Sequence, residues 1–284
     1  MLETRPLLTG LVIGESPRWH EDRLWFAHWG SEEIVAVDLE GNRQVVRKGR
    51  PGLGWSIDWL PDGPMLVTSG TKLLRMEPDG SLATHVDLSG LSEYGWNEIV
   101  VDGRGNVYVN GVGFRFGQEE FSPGIVALVT PDGAVRQVAD DIAFPNGMVV
   151  TPDNSTLIVA ESFARKLTAF DIAADGGLSN RRVWAEDIGP DGICIDAEGA
   201  VWTGSGENAC LRVREGGEVL DRIELDRAPF ACMLGGPDRS TLFAMAQDWR
   251  LSESPADNMT RLTTGPRTGQ VLTAAAPAPG VGWP

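Results

Sequence analysis

The segment AFPNGMVVTPDNSTLIVAES, residues 143–162, contains two short apolar runs separated by a polar turn. Residues 148–150 (Met-Val-Val) and 157–159 (Leu-Ile-Val) have the length and composition of buried strands, and residues 152–154 (Pro-Asp-Asn) are typical of a turn. Asn146 lies just before the first run, where a polar amide needs a hydrogen-bonding or functional partner. The segment therefore predicts a β-hairpin with a polar group at the head of its first strand.

The same pattern occurs six times along the chain, at intervals of 40 to 49 residues. The copies begin at Glu15, Trp55, Asn97, Asn146, Asp191 and Ala231. Each copy continues into a second apolar strand, and most continue into a third and a fourth. Because about four strands at this period are typical of propeller blades, we predict an all-β fold, a six-bladed β-propeller with four-stranded blades. A β-sandwich would not explain so regular a period.

A single blade cannot bury both of its faces, so we expect residues 1–284 to form one domain. A strand near residues 7–13 is expected to complete the last blade beside the strand at 269–275, which would remove an exposed edge. Residues 272–284, which end in AAAPAPGVGWP, are expected to form a loosely ordered tail. Trp283 is the one residue of that tail expected to be able to fold back onto the body.

Composition excludes several partners. A chain of 284 residues with 42% hydrophobic content can bury a large core, and a formal net charge of −16 argues against binding to nucleic acid or to an anionic membrane surface. Neither a secretory signal nor a transmembrane stretch is recognisable, and the three cysteines lack metal-ligand spacing. We therefore expect a cytoplasmic protein with reduced thiols. The sequence does not specify an oligomeric state.

The first residues of the six copies predict a metal site. In a propeller the first strand of each blade lines the central axis, so equivalent positions should form a ring. Four of the six positions carry side-chain oxygens: Glu15, Asn97, Asn146 and Asp191. Two carboxylates close together repel unless a cation lies between them, and an oxygen-only set suits Ca²⁺, Mg²⁺ or Mn²⁺. A polar channel filled with ordered water is the alternative.

Aromatic residues are expected to surround this site and to contact a small-molecule substrate. Two long connections, residues 110–124 and 247–265, fall on the face where the first strands begin, and long insertions on one face of a repeat usually mark the binding face. The aromatic residues in these connections are Phe114, Phe116, Phe121 and Trp249. Trp55 and Trp96 lie beside the ring positions, and His28 and Trp29 end the second strand of the first blade. Packing within blades is the alternative role for each ring.

The motifs GESPRW, FPNGMVVTPD, LIVAESFARKLTAFDI, GPDGICIDAEGAVW and CMLGGPDRSTLF occur in this order over nearly the whole chain. This pattern resembles the senescence-marker-protein/gluconolactonase/luciferin-regenerating enzyme family. The resemblance implies a six-bladed propeller with one divalent cation, Ca²⁺ by preference, with Mg²⁺, Mn²⁺ and Zn²⁺ as alternatives. It implies hydrolysis of lactones or esters, with Glu15, Asn146 and Asp191 as metal ligands and Asn97 facing the substrate or the metal.

One departure from the family concerns the substrate. Members that act on sugar lactones commonly carry Arg-x-Asn-Asp around the blade-three asparagine, whereas this chain has Gly95-Trp96-Asn97-Glu98. An arginine at the position of Gly95 would hold the hydroxyls or carboxylate of a sugar acid. Its replacement predicts a lactone or ester less polar than a sugar lactone.

The sequence thus predicts metal-assisted hydrolysis with Asp191 as the general base. His28 is a second candidate for proton transfer. No Gly-x-Ser-x-Gly elbow is present, which disfavours a serine hydrolase. Two alternatives stay open: a metal-assisted lyase or isomerase acting on a small molecule, and a non-catalytic propeller that binds a ligand in a calcium-dependent way.

Overall fold

Nearly all of the regular structure is antiparallel β-sheet. A computed structural model describes residues 3–49 and 54–283 of the protein. The chain begins with strand β1 (Arg5–Leu11). The first sheet follows, and its strands are β2 (Ile13–His20), β3 (Arg23–Trp29), β4 (Glu33–Val37) and β5 (Arg43–Lys48).

The next three sheets repeat this up-and-down order. The second consists of β6 (Ile57–Trp59), β7 (Met65–Ser69), β8 (Lys72–Met76) and β9 (Leu82–Asp87). The third consists of β10 (Ile99–Val101), β11 (Val107–Gly111), β12 (Gly124–Val129) and β13 (Val135–Ile142). The fourth consists of β14 (Pro145–Val150), β15 (Thr156–Glu161), β16 (Lys166–Ile172) and β17 (Leu178–Ala185).

The last two sheets take in both ends of the chain. The fifth contains β18 (Cys194–Asp196), β19 (Val201–Gly204), β20 (Ala209–Val213) and β21 (Val219–Glu224). The sixth contains β22 (Ala228–Gly235) and β23 (Thr241–Gln247), and after helix α1 (Pro255–Thr264) it gains β24 (Gly269–Ala275). The two-residue strand β25 (Gly280–Val281) adds to β18 in the fifth sheet.

The predicted fold class, an all-β six-bladed propeller with four-stranded blades, is confirmed. The predicted closing strand is also confirmed, because β1 pairs antiparallel with β24, with Arg5 opposite Thr273 and Leu11 opposite Gly269. This pairing places the N-terminal strand at the outer edge of the sixth sheet.

The hairpin turns explain why the polar segments of the repeat recur. Asp102 accepts hydrogen bonds through Oδ1 from the backbone N–H groups of Arg104 and Asn106, both at 2.8 Å. Asp196 does the same in the fifth sheet, with Glu198 at 2.9 Å and with Ala200. An aspartate that accepts from the residues two and four positions ahead holds a tight turn, so each turn brings two strands into register.

Tertiary contacts divide the chain into two compact units. Residues 1–53 and 191–280 form one unit, which contains the first, fifth and sixth sheets. Residues 54–190 and 281–284 form the other, which contains the second, third and fourth sheets. Each unit has its own buried apolar clusters. The single domain over residues 1–284 stays a prediction.

Two segments differ from expectation. Residues 272–275 of the expected tail lie in β24, and Trp283 pairs with Val150, its N–H donating to the Val150 carbonyl at 3.0 Å. Leu272 packs in the core, so the strand at residues 272–275 departs from the expected tail, whereas Trp283 folds back as the sequence allowed, with its indole against Gly103. The loosely ordered tail over 272–284 otherwise stays a prediction.

The connection at 247–265 was expected to be a loop, yet it contains α1. The signal was present: Ser254 caps the helix by accepting from the Asp257 N–H at 3.1 Å, and Pro255 occupies the first turn. With ten residues α1 is short, and among the described residues no helix has the length and apolarity to cross a membrane.

Candidate functional site

Glu15 lies at a break in the first sheet. It is opposite Ala27, and the register shifts before Arg18 pairs with Trp25, so the strand bulges at this point. Ser16, inside the bulge, has a φ of +50°. Glu15 is 5% exposed. The bulge therefore sets a carboxylate inside the protein at a break in the strand ladder, at a position predicted for a metal ligand.

Asp191 is half-buried and lies three residues before the start of β18. Its backbone N–H donates to Thr203 Oγ1 at 3.3 Å. Gly192 donates its N–H to the Phe230 carbonyl at 2.8 Å, and a Cβ on Gly192 would lie 2.4 Å from the Ala231 Cβ. The glycine of the Pro-Asp-Gly motif is therefore required by the close approach of β22, which fixes the backbone of Asp191.

Asn97 and Asn146 lie close together. Asn146 is in β14, within a register shift between Pro145 and Met148. The Asn97 carboxamide donates through Nδ2 to the Pro145 carbonyl at 3.3 Å. Within the part of the chain that the structure describes, the Asn146 carboxamide makes no hydrogen bond to protein and Asn97 Oδ1 accepts none. Both side-chain oxygens are thus available to a ligand.

Asn110 supports this pair and was not anticipated. It is the next-to-last residue of β11, is 0% exposed, and donates through Nδ2 to the Asn146 carbonyl at 2.6 Å. Its own carbonyl accepts from the Asn97 N–H at 2.7 Å. The ring positions were taken only from the first strands of the repeat, so Asn110 was overlooked, although a polar residue near the end of an apolar second strand was the signal.

Glu161 anchors the segment that leads to Asn146. It is 1% exposed, and its Oε2 accepts from the Ala143 N–H at 2.8 Å. Its Oε1 lies 3.5 Å from Lys166 Nζ and 3.3 Å from Arg181 Nη2. Arg181 also donates to the Asp140 and Asp141 carbonyls. A buried carboxylate with two cations therefore holds the chain between β13 and β14.

Phe114 belongs to a group of five phenylalanine rings, which we call the phenylalanine cluster. Its members are Phe114, Phe116, Phe121, Phe144 and Phe163. Phe114 is 5% exposed, whereas Phe121 is 50% and Phe163 is 51% exposed. The Phe144 and Phe163 rings stack with centroids 4.5 Å apart. Phe144 and Phe163 were not anticipated, because they lie outside the long connections.

Trp55 and Trp96 are buried. Trp55 is 0% and Trp96 is 1% exposed, and Trp96 packs in an apolar cluster with Ile99 and Val109. Both rings therefore lie in the core, and packing within blades was the alternative role given for each aromatic residue. Their direct contact with substrate stays a prediction.

His28 is 0% exposed. Its Nε2 accepts from the Val12 N–H at 2.9 Å, and its Nδ1 lies 3.1 Å from Glu33 Oε2, which fixes the tautomer with the proton on Nδ1. Burial lowers the pKa of His28 from its usual range to about 4. With both nitrogens engaged, His28 fits a structural role, and we leave it out of the proposed chemistry.

Trp29 and Trp249 share an apolar cluster with helix α1. Both pack, half-buried, against Val12, Ile13 and Leu262. Phe230 joins them, with its ring 5.4 Å from that of Trp249. The structure therefore brings together two predicted substrate contacts from distant parts of the sequence.

The predicted metal ligands fall in both compact units. Glu15 and Asp191 belong to one, and Asn97 and Asn146 to the other, so their joint binding of a cation stays a prediction. Across residues 3–49 and 54–283, no three His, Cys, Asp or Glu side chains are grouped to hold a metal. The predicted set contains two carboxylates and amide oxygens, and this chemistry fits a hard cation.

Comparison with known proteins identifies the class. Residues 13–247 match the model of the SMP-30/Gluconolactonase/LRE-like region, and the chain belongs to this family. It is 30% identical to regucalcin of Xenopus laevis, covering 88% of this chain and 90% of that one. It is 25% identical to pentonolactonase XacC of Haloferax volcanii, covering 86% and 84%. A solved structure of luciferin-regenerating enzyme superposes with a TM-score of 0.84 at 17% identity, covering 99% and 98%, which supports the fold.

Proposed function

We propose that this protein is a metal-dependent hydrolase that opens a lactone or a similar cyclic ester. Family membership and the likeness to a pentonolactonase support hydrolysis of a small molecule. The observation that carries the proposal is the placement of Glu15 and Asn146 at strand bulges and of Asp191 in the segment before β18, where the regular ladder is interrupted or has not begun.

In this proposal Glu15, Asn146 and Asp191 hold one divalent cation, Ca²⁺ by preference, and Asn97 orients the substrate. When bound, such a cation polarises a carbonyl and lowers the pKa of water. Asp191 accepts a proton from the attacking water, which adds to the lactone carbonyl carbon. The ring C–O bond then breaks, the ring oxygen takes up a proton, and the product is a hydroxy acid.

Gly95 supports a substrate less polar than a sugar lactone. It is exposed and has no side chain to bind sugar hydroxyls. Asn97 and Asn110, which follow it in the third blade, engage neighbouring backbone carbonyls.

The test measures ring opening of a lactone panel by metal-stripped protein and by protein resupplied with Ca²⁺, Mg²⁺, Mn²⁺ or Zn²⁺. Turnover should require an ion, and Asp191→Asn should lower kcat about 10²- to 10⁴-fold, as expected for loss of a general base. Asp187→Asn is the matched control: its side chain is exposed and its φ of +59° suits asparagine.

Glu15→Gln tests the ligand assignment separately through the metal content after dialysis, which should fall. Full metal occupancy in this variant would remove Glu15 from the site. If no lactone is opened with any ion, the hydrolase proposal fails, and ion-dependent binding without turnover would favour a binding propeller.

A further inference from the structure

The phenylalanine cluster places exposed aromatic surface on an acidic protein. Five rings from three chain segments contact one another, with centroid separations of 4.5 to 6.5 Å. Phe121 and Phe163, whose centroids are 5.6 Å apart, each leave about half of their surface in water. Exposed aromatic groups of this kind are a feature of binding sites, since core packing alone would bury them.

The backbone at Phe144 is strained in a way that keeps its ring in the cluster. Its φ is +61°, a left-handed conformation that is unfavourable for a bulky residue. The Phe144 carbonyl accepts from the Ser162 N–H, and the Phe163 N–H donates to the Ala143 carbonyl, both at 3.2 Å. These bonds hold the Phe144 and Phe163 rings stacked face to face.

The cluster is continuous with the asparagine pair. Phe144 precedes Asn146 by two residues, and Asn110, whose amide holds the Asn146 carbonyl, leads directly into the loop that carries Phe114, Phe116 and Phe121. The buried Glu161 fixes Ala143 at the start of this turn. An apolar surface is therefore built onto the same segment that presents the available Asn146 oxygen.

We infer that the phenylalanine cluster binds an apolar substituent of the substrate, so that this protein selects lactones that carry an alkyl chain. The inference rests on the proposed hydrolysis at the adjacent residues. The occupant is a neutral hydrocarbon group: the exposed surface consists of ring faces and edges, and burying them against an alkyl chain removes apolar area from water.

The experiment compares γ-butyrolactone, which has no side chain, with γ-octalactone and γ-decalactone on metal-loaded protein. The expected result is a higher kcat/KM for the alkyl lactones. Phe163→Ala should lower the ratio of alkyl to unsubstituted kcat/KM about tenfold, in line with the discrimination that apolar contacts provide. Val183→Ala is the control, because Val183 is 49% exposed but lies outside the cluster.

A second readout does not depend on turnover. Calorimetric titration of metal-stripped protein with γ-octanolactam, a slowly hydrolysed analogue, should show binding that Phe163→Ala and Phe121→Ala weaken and Val183→Ala does not. Turnover without alkyl preference, unchanged in Phe163→Ala, would overturn the inference and leave the hydrolase proposal standing. Lactam binding that depends on Phe163, without any lactone turnover, would support the inference of an apolar binding site and contradict the hydrolase proposal. If no lactone is turned over and lactam binding does not depend on Phe163, both the hydrolase proposal and the apolar-site inference fail.

Discussion

At the residue scale, His28 shows how burial decides a side chain's role. The sequence places it at a strand end beside Trp29, where it is a candidate for proton transfer. In the structure its ring is buried and hydrogen-bonded to the Val12 backbone and to Glu33. The charges of Arg43 and Arg267 lie nearby. The Arg43 guanidinium and Lys48 ammonium also contact the Glu33 carboxylate, so this histidine belongs to a structural charge network.

The His28 environment predicts a stability change with pH. The pKa of His28 is about 4 when folded and near 6.5 when unfolded, so the unfolded chain binds more protons between these values. The stabilisation is present above pH 6.5 and is lost as the pH falls toward 4, by about 3 kcal/mol. Urea unfolding across pH 4 to 7.5 measures it.

His28→Gln should flatten this dependence, whereas His20→Gln, which alters a half-buried ring at the end of β2, should retain it. If the free energy of unfolding of His28→Gln falls with decreasing pH as in the wild type, groups other than His28 control the loss of stability in acid.

At the element scale, strands β15, β16 and β17 act together on the segment before Asn146. Glu161, Lys166 and Arg181 come from these three strands and converge on one buried carboxylate. Neither cation is fully buried, so solvent shares in their stabilisation, while the Glu161 oxygens are removed from water. Removal of the carboxylate charge therefore weakens mainly the interactions of Glu161 itself and the turn before Asn146 that it holds.

We expect Glu161→Gln to lower the free energy of unfolding by about 2 kcal/mol, the range for hydrogen bonds to a charged group. Glu119→Gln, which breaks an exposed pair with Arg115, should lower it by less than about 1 kcal/mol. Denaturant titration compares the two, and equal losses would contradict the role given to Glu161.

At the scale of the whole molecule, the order of the strands couples the N-terminal segment to the C-terminal part of the chain. Strand β1 covers the outer edge of β24, whose N–H and C=O groups would otherwise face solvent. Uncovered strand edges promote association between chains.

Deletion of residues 1–9 should therefore lower the melting temperature and increase aggregation, because it removes most of β1. Deletion of residues 1–4 leaves β1 complete and should behave like the intact chain. Differential scanning calorimetry with light scattering distinguishes them, and equal behaviour of both truncations would show that the edge pairing is dispensable.

Much of the fold could be predicted because strand and turn signals are local. Alternating apolar runs and aspartate turns recur at a fixed period, so the sheets and the closing strand follow from the sequence. Helix α1 was missed, since a composition rich in threonine conceals a cap and a few well-packed apolar residues.

The sequence by itself determined the sixfold repeat, the oxygen-bearing positions at Glu15, Asn97, Asn146 and Asp191, and the family. Backbone periodicity and turn chemistry act over a few residues and are therefore readable from the chain. Only the tertiary structure decided that His28 is enclosed, that Asn110 holds Asn146, and that rings from three segments form the phenylalanine cluster. Burial and side-chain contact depend on residues far apart in sequence, which no local pattern records.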